Sequence, residues 1–469
     1  MTDRPTLMVG VAGVRGIVGK DLTPEVVTQW ARAFGTWVRE TGEKTGEGGR
    51  GRSSVVVGRD SRQSGPAFAQ AVAAGLGAVG CDVIDVGLVP TPTVQLAVEY
   101  HAAGGGVAIT ASHNPIEWNA LKFIGPDGIF LDGAAGARVA QLAVEGGGGG
   151  TGGKGGKVAR DDAAVARHLD RVLRLPVLDI ERIRERRFKV ALDAVRGAGG
   201  PVMQALLERL GCEVTGINLE ADGRFPRAPE PVPENLGELR ALVRRSGADL
   251  GVAVDPDVDR LAIVDERGAA IGEDYTLAFA IRAVMGGTGG RSVVVCNLST
   301  SLVVEDAARD CGAELVRTPV GEVHVARKMI DLKSRIGGEG NGGVMYADLH
   351  VGRDAPVAAA LTLALLTRER RPVSELVAAA PRYVIVKTKL ERGTRNAERG
   401  LDDVYAVLRR RFPDASADIQ DGLRLAWRDR WLHVRPSNTE PIIRLIAEAP
   451  TDAEAQHLVD EGRRLCAAS

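Results

Sequence analysis

The sequence predicts an α/β protein: three related α/β domains followed by a smaller C-terminal α+β domain. Three observations predict it. A pattern of strand, loop, helix, glycine and strand occurs three times, the copies spaced about 100 residues apart or a little more. That pattern is the signature of βαβ units in a parallel sheet. A glycine-rich stretch separates the first copy from the second, and the last ~90 residues follow a different pattern.

The first copy starts at Val55-Val-Val-Gly-Arg-Asp60, a β-branched run that ends in loop residues. An Ala-rich helical stretch, Gly80-Cys81 and the strand Asp82-Val-Ile-Asp-Val86 follow. The second copy starts at Phe188-Lys-Val-Ala-Leu-Asp193, with a helix over Met203 to Leu210 and then Gly211-Cys212-Glu213-Val214. The third starts at Ser292-Val-Val-Val-Cys-Asn297, with a helix over Val303 to Asp310 and then Cys311-Gly312-Ala-Glu-Leu315. Near the C-terminus, Tyr383 to Lys387 reads as a strand and Leu401 to Phe412 as an amphipathic helix. Trp431 to Val434 reads as another strand and Ala453 to Cys466 as a closing helix. Gly146 to Lys157, nearly all Gly, cannot pack a core and reads as a linker, and Thr41 to Arg52 as an exposed connection. Domains are expected at 1–150, 158–267, 268–376 and 377–469.

Composition narrows the class. The chain has 469 residues, 60 Lys and Arg, 61 Asp and Glu, and 44% hydrophobic residues, so it is globular and not mainly disordered. The balanced charge argues against a general nucleic-acid binder. The cysteines Cys81, Cys212, Cys296, Cys311 and Cys466 form no C-x-x-C pair, which speaks against zinc or a dithiol centre and fits buried thiols in a reducing compartment. Leu7 to Val14 lacks the basic flank of a signal segment, and apolar Ala355 to Leu366 is far short of a bilayer span. A cytoplasmic protein is expected. Gly75-Leu-Gly77-Ala-Val-Gly80 fits the dinucleotide fingerprint G-x-G-x-x-G, but it ends a helix before a strand, the reverse of the order that fingerprint needs.

Four loops carry chemistry. Thr110-Ala-Ser112-His113-Asn-Pro115 follows a strand and exposes a hydroxyl on turn-forming residues. A Ser–His hydrolase is a poor reading, because no nucleophile elbow surrounds it. Asp255-Pro-Asp257-Val-Asp259-Arg260 lies between two apolar strand-like runs, and alternate residues of an extended chain point the same way. Three converging carboxylates call for a cation, and oxygen-only ligands suit Mg²⁺. An EF-hand fails because Arg260 stands where its Gly belongs, and a haloacid-type Asp nucleophile matches only in part. Gly337-Gly-Glu339-Gly-Asn341-Gly-Gly343 offers polar groups without bulk, suited to a polyhydroxylated ligand. Arg435-Pro-Ser437-Asn438-Thr439-Glu-Pro441, with Arg444 beyond, has the makings of a phosphate cradle.

With these four loops in this order, the whole chain resembles the α-D-phosphohexomutase family, which includes phosphoglucomutase, phosphomannomutase and phosphoglucosamine mutase. Gly13-Val-Arg15-Gly16-Ile-Val-Gly19 is similar to its N-terminal G-x-R-G segment, and Val57-Gly-Arg59-Asp60-Ser-Arg62 to its G-x-D-x-R segment. The resemblance implies four domains around a central cleft. It implies that Ser112 carries a phosphoryl group, which converts a hexose monophosphate into its isomer through a bound 1,6-bisphosphate. Asp255, Asp257, Asp259 and a Ser112 phosphate oxygen are implied to hold Mg²⁺. Lys122 is the implied candidate for acid/base work or charge stabilisation, with His113 and Arg15 as further candidates and Arg260 pairing with the phosphoserine region. Glu339 and Asn341, helped by Thr318 to Gly321, are implied to hold the sugar. Arg435, Ser437, Asn438, Thr439 and Arg444 are implied to hold the phosphate that is not transferred.

The chain also departs from the family pattern. In the sugar loop Asn341 and Gly343 stand where many relatives have Ser and His, and Asn438 replaces a Gly of the phosphate loop. Pro256 and Val258 stand where small residues are usual. The sugar loop, taken with Gly13 to Gly19, looks most like phosphoglucosamine mutases of the archaeal type, so glucosamine phosphate is the expected substrate. Phosphomannomutase or phosphoglucomutase activity, a non-catalytic sugar-phosphate binding protein and a Mg²⁺-dependent phosphatase are the alternatives. Hexose 1,6-bisphosphate is the expected activator. Partners are expected to be small sugar phosphates only, with no nucleic acid or membrane, for a monomer or homodimer.

Overall fold

One four-stranded motif is built three times in the computed structural model, which describes residues 7–10, 13–44, 53–147, 155–286, 292–391, 401–436 and 442–468. In each copy the first strand lies in the middle. It pairs in parallel with the second strand on one side and the third on the other, and the fourth runs antiparallel to the third. The first copy is Ser54–Arg59, Asp82–Leu88, Gly105–Ile109 and Trp118–Ile124. The second is Lys189–Asp193, Glu213–Ile217, Leu250–Val254 and Leu261–Asp265. The third is Ser292–Asn297, Ala313–Thr318, Ile336–Glu339 and Gly343–Tyr346. The first sheet is widened by Gly13–Ile17 and Met8–Gly10 beyond Trp118–Ile124, and by Val158–Arg160 at its other edge.

The recurring glycine has a conformational cause. Gly80, Gly211 and Gly312 each follow a helix and adopt φ of 80°, 79° and 71°. That left-handed turn satisfies the helix end and redirects the chain into the next strand, at no steric cost to glycine. The G-x-G-x-x-G match falls in the helix Gly65–Ala78 and the turn after it.

The second and third sheets share one hydrophobic core that includes Leu192, Val254, Val294, Ile336 and Leu361. At its centre runs Ala355–Glu369, capped by Asp354 through the Val357 N–H and buried on nearly all sides. The apolar run Ala355 to Leu366 is therefore a core helix. Its first turn touches the acidic loop, where the Ala355 N–H donates to the Val258 carbonyl at 3.2 Å.

The fourth domain is an antiparallel sheet in the order Val384–Glu391, Ile442–Ala449, Trp431–Pro436, Leu423–Ala426 and Ser416–Asp418, covered by helices Leu401–Arg411 and Asp452–Ala468. It has its own core, which includes Leu425, Leu432, Leu445 and Val459. Polar groups join it to the third domain: Ser301 Oγ and the Leu302 N–H donate to Glu448, and Tyr383 OH donates to Asp306. Cys81, Cys212, Cys296 and Cys466 are buried free thiols, and Cys311 is half-buried. Among the described residues no helix is long and apolar enough to cross a membrane.

Candidate active site

Ser112 sits just past the strand Gly105–Ile109, only 4% exposed and with φ of 48°. A non-glycine residue in that region is costly and needs surrounding structure to hold it. Arg62 provides much of the hold. Its guanidinium, 1% exposed, donates to the carbonyls of Ser112, Asn114, Pro115 and Trp118 and to Asp60. Asp60 accepts from Thr110 Oγ1, which in turn accepts from the Ser112 N–H. Nothing in the segment Val57 to Arg62 itself signals this role of Arg62.

Ser112 Oγ donates to Asp255 Oδ2 at 2.7 Å, joining positions 143 residues apart. The carboxylates of Asp255, Asp257 and Asp259 converge with one oxygen of each within 4.8 Å of the others. Extended-chain alternation does not produce this convergence, contrary to expectation. The segment is a tight turn in which the Val258 N–H donates to the Asp255 carbonyl and Val258 adopts φ of 63°. Gly197 leaves room for Pro256, since a Cβ on it would lie 2.6 Å from Pro256 Cα, and a Cβ on Gly199 would lie 2.6 Å from Val254 Cγ2 and 3.3 Å from Val258 Cγ2.

These residues fit a metal ion. Asp257 Oδ1 and Asp259 Oδ1 are buried without a hydrogen-bond partner. Burial, and then the charges of Asp259 and Asp257, push the Asp255 carboxyl well above its ordinary range. Burial opposes ionisation of Asp257 as well, but the Lys122 ammonium and hydrogen bonds from Lys122 and Thr91 hold its carboxyl below that range. A cluster with orphaned oxygens and excess negative charge calls for a hard cation, and Mg²⁺ suits an all-oxygen donor set.

Basic groups surround Ser112. Lys122, on the strand Trp118–Ile124, donates to Asp257 Oδ2 at 2.7 Å and lies 3.9 Å from Asp259 Oδ2. Thr91 Oγ1 donates to the same Asp257 oxygen and was not foreseen. Arg15 donates to Asn114 Oδ1 at 2.7 Å. His113 Nδ1 is 3.4 Å from Ser112 Oγ, and burial followed by the charges of Arg260 and Arg15 holds its pKa well below the imidazole range. The Arg260 guanidinium donates to Glu230 at 3.1 Å and lies 3.8 Å from Asp259.

In the glycine-rich loop Gly337 to Gly343, Glu339 is 3% exposed. Its Oε1 accepts from Asn297 Nδ2 at 2.8 Å and from the Gly321 N–H at 3.0 Å, and its Oε2 from Arg353 at 2.7 Å. Burial would raise its pKa, but the Arg353 charge and the Asn297 bond outweigh it and hold the carboxyl below its ordinary range. Asn341 Oδ1 accepts from the Gly343 N–H of its own loop, and the Thr318 hydroxyl donates to the Pro319 carbonyl. Arg353 and Asn297 went unnoticed in the sequence. The signal for Arg353 was a charged residue two positions before the buried start of an apolar helix, which demands a buried partner.

From the fourth domain Arg435 is paired with Asp421 at 2.9 Å, and Asp421 accepts from the Val320 N–H of the third domain. Arg444 lies opposite Arg435 on the neighbouring strand. Ser437, Asn438 and Thr439 lie outside the described residues.

His433 bridges the same two domains, with Nδ1 2.9 Å from Ser299 Oγ and Nε2 2.7 Å from the Asp421 carbonyl. Burial, aided by the Arg435 and Arg424 charges, holds its pKa down to about 4. Between the unfolded value of about 6.5 and that value the unfolded chain binds a proton that the folded chain does not. Stability is therefore lost as pH falls through this window, by up to about 1.4 kcal/mol per pH unit. Urea titrations from neutral pH into this window are expected to show a shallower loss for His433→Gln than for the unaltered chain, and equal slopes would contradict this.

Models of the phosphoglucomutase/phosphomannomutase α/β/α domains I, II and III match residues 6–146, 166–268 and 272–383, and that of the C-terminal domain matches 386–465. The chain is 37% identical to a phosphoglucomutase/phosphomannomutase of Thermococcus kodakarensis, over 97% of each chain. It is 38% identical to a probable phosphoglucosamine mutase of Methanopyrus kandleri, over 96% of each. A crystal structure of a phosphoglucomutase/phosphomannomutase family protein from Burkholderia thailandensis superposes with a TM-score of 0.82 at 29% identity, over 98% of this chain and 97% of that one. The fold and the loops around Ser112 thus define an intramolecular phosphotransferase, an isomerase of sugar phosphates. The chain belongs to the phosphoglucomutase/phosphomannomutase family, the α-D-phosphohexomutases.

Proposed function

We propose that this phosphohexomutase carries a phosphoryl group on Ser112 and exchanges it between the 1- and 6-positions of a hexose, with glucosamine phosphate as the preferred sugar. One observation carries the reading: the buried Ser112 hydroxyl is held 2.7 Å from Asp255, with Lys122 2.7 Å from Asp257 in the same acidic turn. The P–O bond to Ser112 breaks as a bond forms to the free sugar hydroxyl, giving the bound 1,6-bisphosphate. The reverse transfer, from the other end of the turned-around sugar, restores the phosphoserine and releases the isomer. Lys122 acts in acid/base transfer or stabilises the developing charge. The His113 imidazole, kept neutral by burial, offers a second proton acceptor beside Ser112, and Arg15 and Arg260 add positive charge. Held by Asp255, Asp257, Asp259 and a phosphoserine oxygen, a bound Mg²⁺ supplies charge neutralisation.

Glu339 and Asn341, shaped by Thr318 and Gly321, bind the sugar hydroxyls. Arg435, Ser437, Asn438, Thr439 and Arg444 grip the phosphate that is not transferred. The separate core of the fourth domain suits a body that closes over the cleft and reopens for the sugar to turn. Hexose 1,6-bisphosphate restores the phosphate to Ser112 when it is lost, which makes it an activator.

The glucosamine preference rests on the Gly-Glu-Gly-Asn-Gly-Gly loop together with Gly13 to Gly19. Phosphomannomutase or phosphoglucomutase activity is the second reading, favoured by the similarity to the Thermococcus kodakarensis protein. The test is ³¹P NMR of glucosamine, glucose and mannose 1-phosphates with enzyme, Mg²⁺ and a trace of hexose 1,6-bisphosphate. Glucosamine 1-phosphate is expected to reach its 6-phosphate fastest. A faster neutral sugar would overturn the preference, and no conversion of any sugar by folded protein would overturn the mutase.

A further inference from the structure

We propose that Arg353 couples the metal loop to the sugar loop and, through Glu339, sets discrimination among sugars in place of the side chain that Gly343 lacks. The sugar half of this inference rests on the mutase reading above. Arg353 is 8% exposed and sits at the turn before the core helix Ala355–Glu369. Its guanidinium holds three carboxylates from two domains. Nη2 donates to Asp259 Oδ2 at 2.6 Å, Nη1 donates to Glu339 Oε2 at 2.7 Å, and Nε lies 3.1 Å from Glu322 Oε2. The backbone is fixed too, since the Arg353 N–H donates to Glu322 Oε1 and the Asp354 N–H to the Val344 carbonyl.

The space for this side chain exists because residue 343 is glycine. A Cβ there would lie 2.2 Å from Arg353 Cδ and 2.9 Å from its Cγ. A side chain at 343 and the present position of Arg353 exclude each other. The fork takes one oxygen from Asp259 and one from Glu339. Asp259 Oδ1 is left without a hydrogen-bond partner in the acidic cluster, while Glu339 Oε1 is steadied by Asn297 and Gly321. One planar cation thus fixes the rotamers of a metal-loop carboxylate and a sugar-loop carboxylate together. A lysine keeps the charge but cannot reproduce the fork.

Arg353 is accordingly a positioning residue, and its loss acts on two properties at once. The experiment compares the full-length unaltered chain with Arg353→Lys and Gly343→Ala, the latter displacing Arg353 without altering it. Folding is checked by circular dichroism melting. Mn²⁺ affinity is measured by calorimetry without sugar, and kcat and KM are measured for glucosamine, glucose and mannose 1-phosphates. In both variants Mn²⁺ binding is expected to weaken about 10-fold. Discrimination between the best and worst sugar is expected to shrink about 10-fold, with KM rising more than kcat falls. Both properties unchanged within about twofold, or a change in one without the other, overturns the coupling. If Arg353→Lys does not fold, Gly343→Ala decides. If the unaltered chain converts no sugar phosphate, the mutase reading fails, and the Mn²⁺ comparison alone decides whether Arg353 organises the metal loop.

Discussion

Ser112→Ala is expected to remove turnover of every hexose phosphate, by about 10⁴-fold or more, because the residue proposed to accept and return the phosphoryl group is gone. The fold is expected to survive. The substitution deletes one buried hydroxyl, with its hydrogen bond to Asp255 and its 3.4 Å contact with His113, at a cost of about 1–2 kcal/mol. The Thr110 and Arg62 bonds to the Ser112 backbone need no side chain and remain. A coupled assay for 6-phosphate formation, beside a thermal melt, separates loss of chemistry from loss of structure. A variant that keeps more than about a hundredth of the activity would place the phosphoryl carrier elsewhere.

Arg62→Met is expected to cost about 3–5 kcal/mol of stability, the typical result of removing one partner of a buried ion pair. The ion pair with Asp60 is almost fully buried, and four loop carbonyls lose their donor at the same time. Burial already pushes the Asp60 carboxyl above its ordinary range despite Arg62, so a lone Asp60 is left poorly compensated. Turnover falls too, because these bonds hold Ser112 in its left-handed conformation. Urea unfolding at neutral pH measures the loss, and Asp60→Asn in the Arg62→Met background is expected to recover part of it. A loss below about 1 kcal/mol would show that the loop is held by other contacts.

The scaffold was legible because its signals are local. The three helix-ending glycines, Gly80, Gly211 and Gly312, stand at equivalent places, and all three take the left-handed conformation. The acidic residues and Ser112 were legible as chemistry, since their residue types and spacing demand a cation and a loop hydroxyl. The way they meet was not. The carboxylates converge through a turn whose buried Val258 has φ of 63°, a state that no valine signals in advance. The residues that orient the site were also hidden. Arg62, Thr91, Asn297 and Arg353 act through partners distant in sequence, and Arg353 reaches Asp259 across 94 positions. Gly343 carried a usable signal: a glycine in a loop of polar residues leaves space that another group, here Arg353, fills. The Arg260 bond to Glu230, 30 positions away, was hidden too, since its place beside Asp259 says nothing of that partner.

The proposed role of Ser112, carrying the phosphoryl group from one end of the sugar to the other, is open to a direct measurement. The direct test loads the protein with ³²P from labelled glucose 1,6-bisphosphate, maps the label by peptide mass, and then chases it with unlabelled hexose 1-phosphate. Label is expected on the Ser112 peptide, none on Ser112→Ala, with transfer of the bound label into hexose phosphate. Label on another residue, or release mainly as inorganic phosphate during the chase, would contradict it.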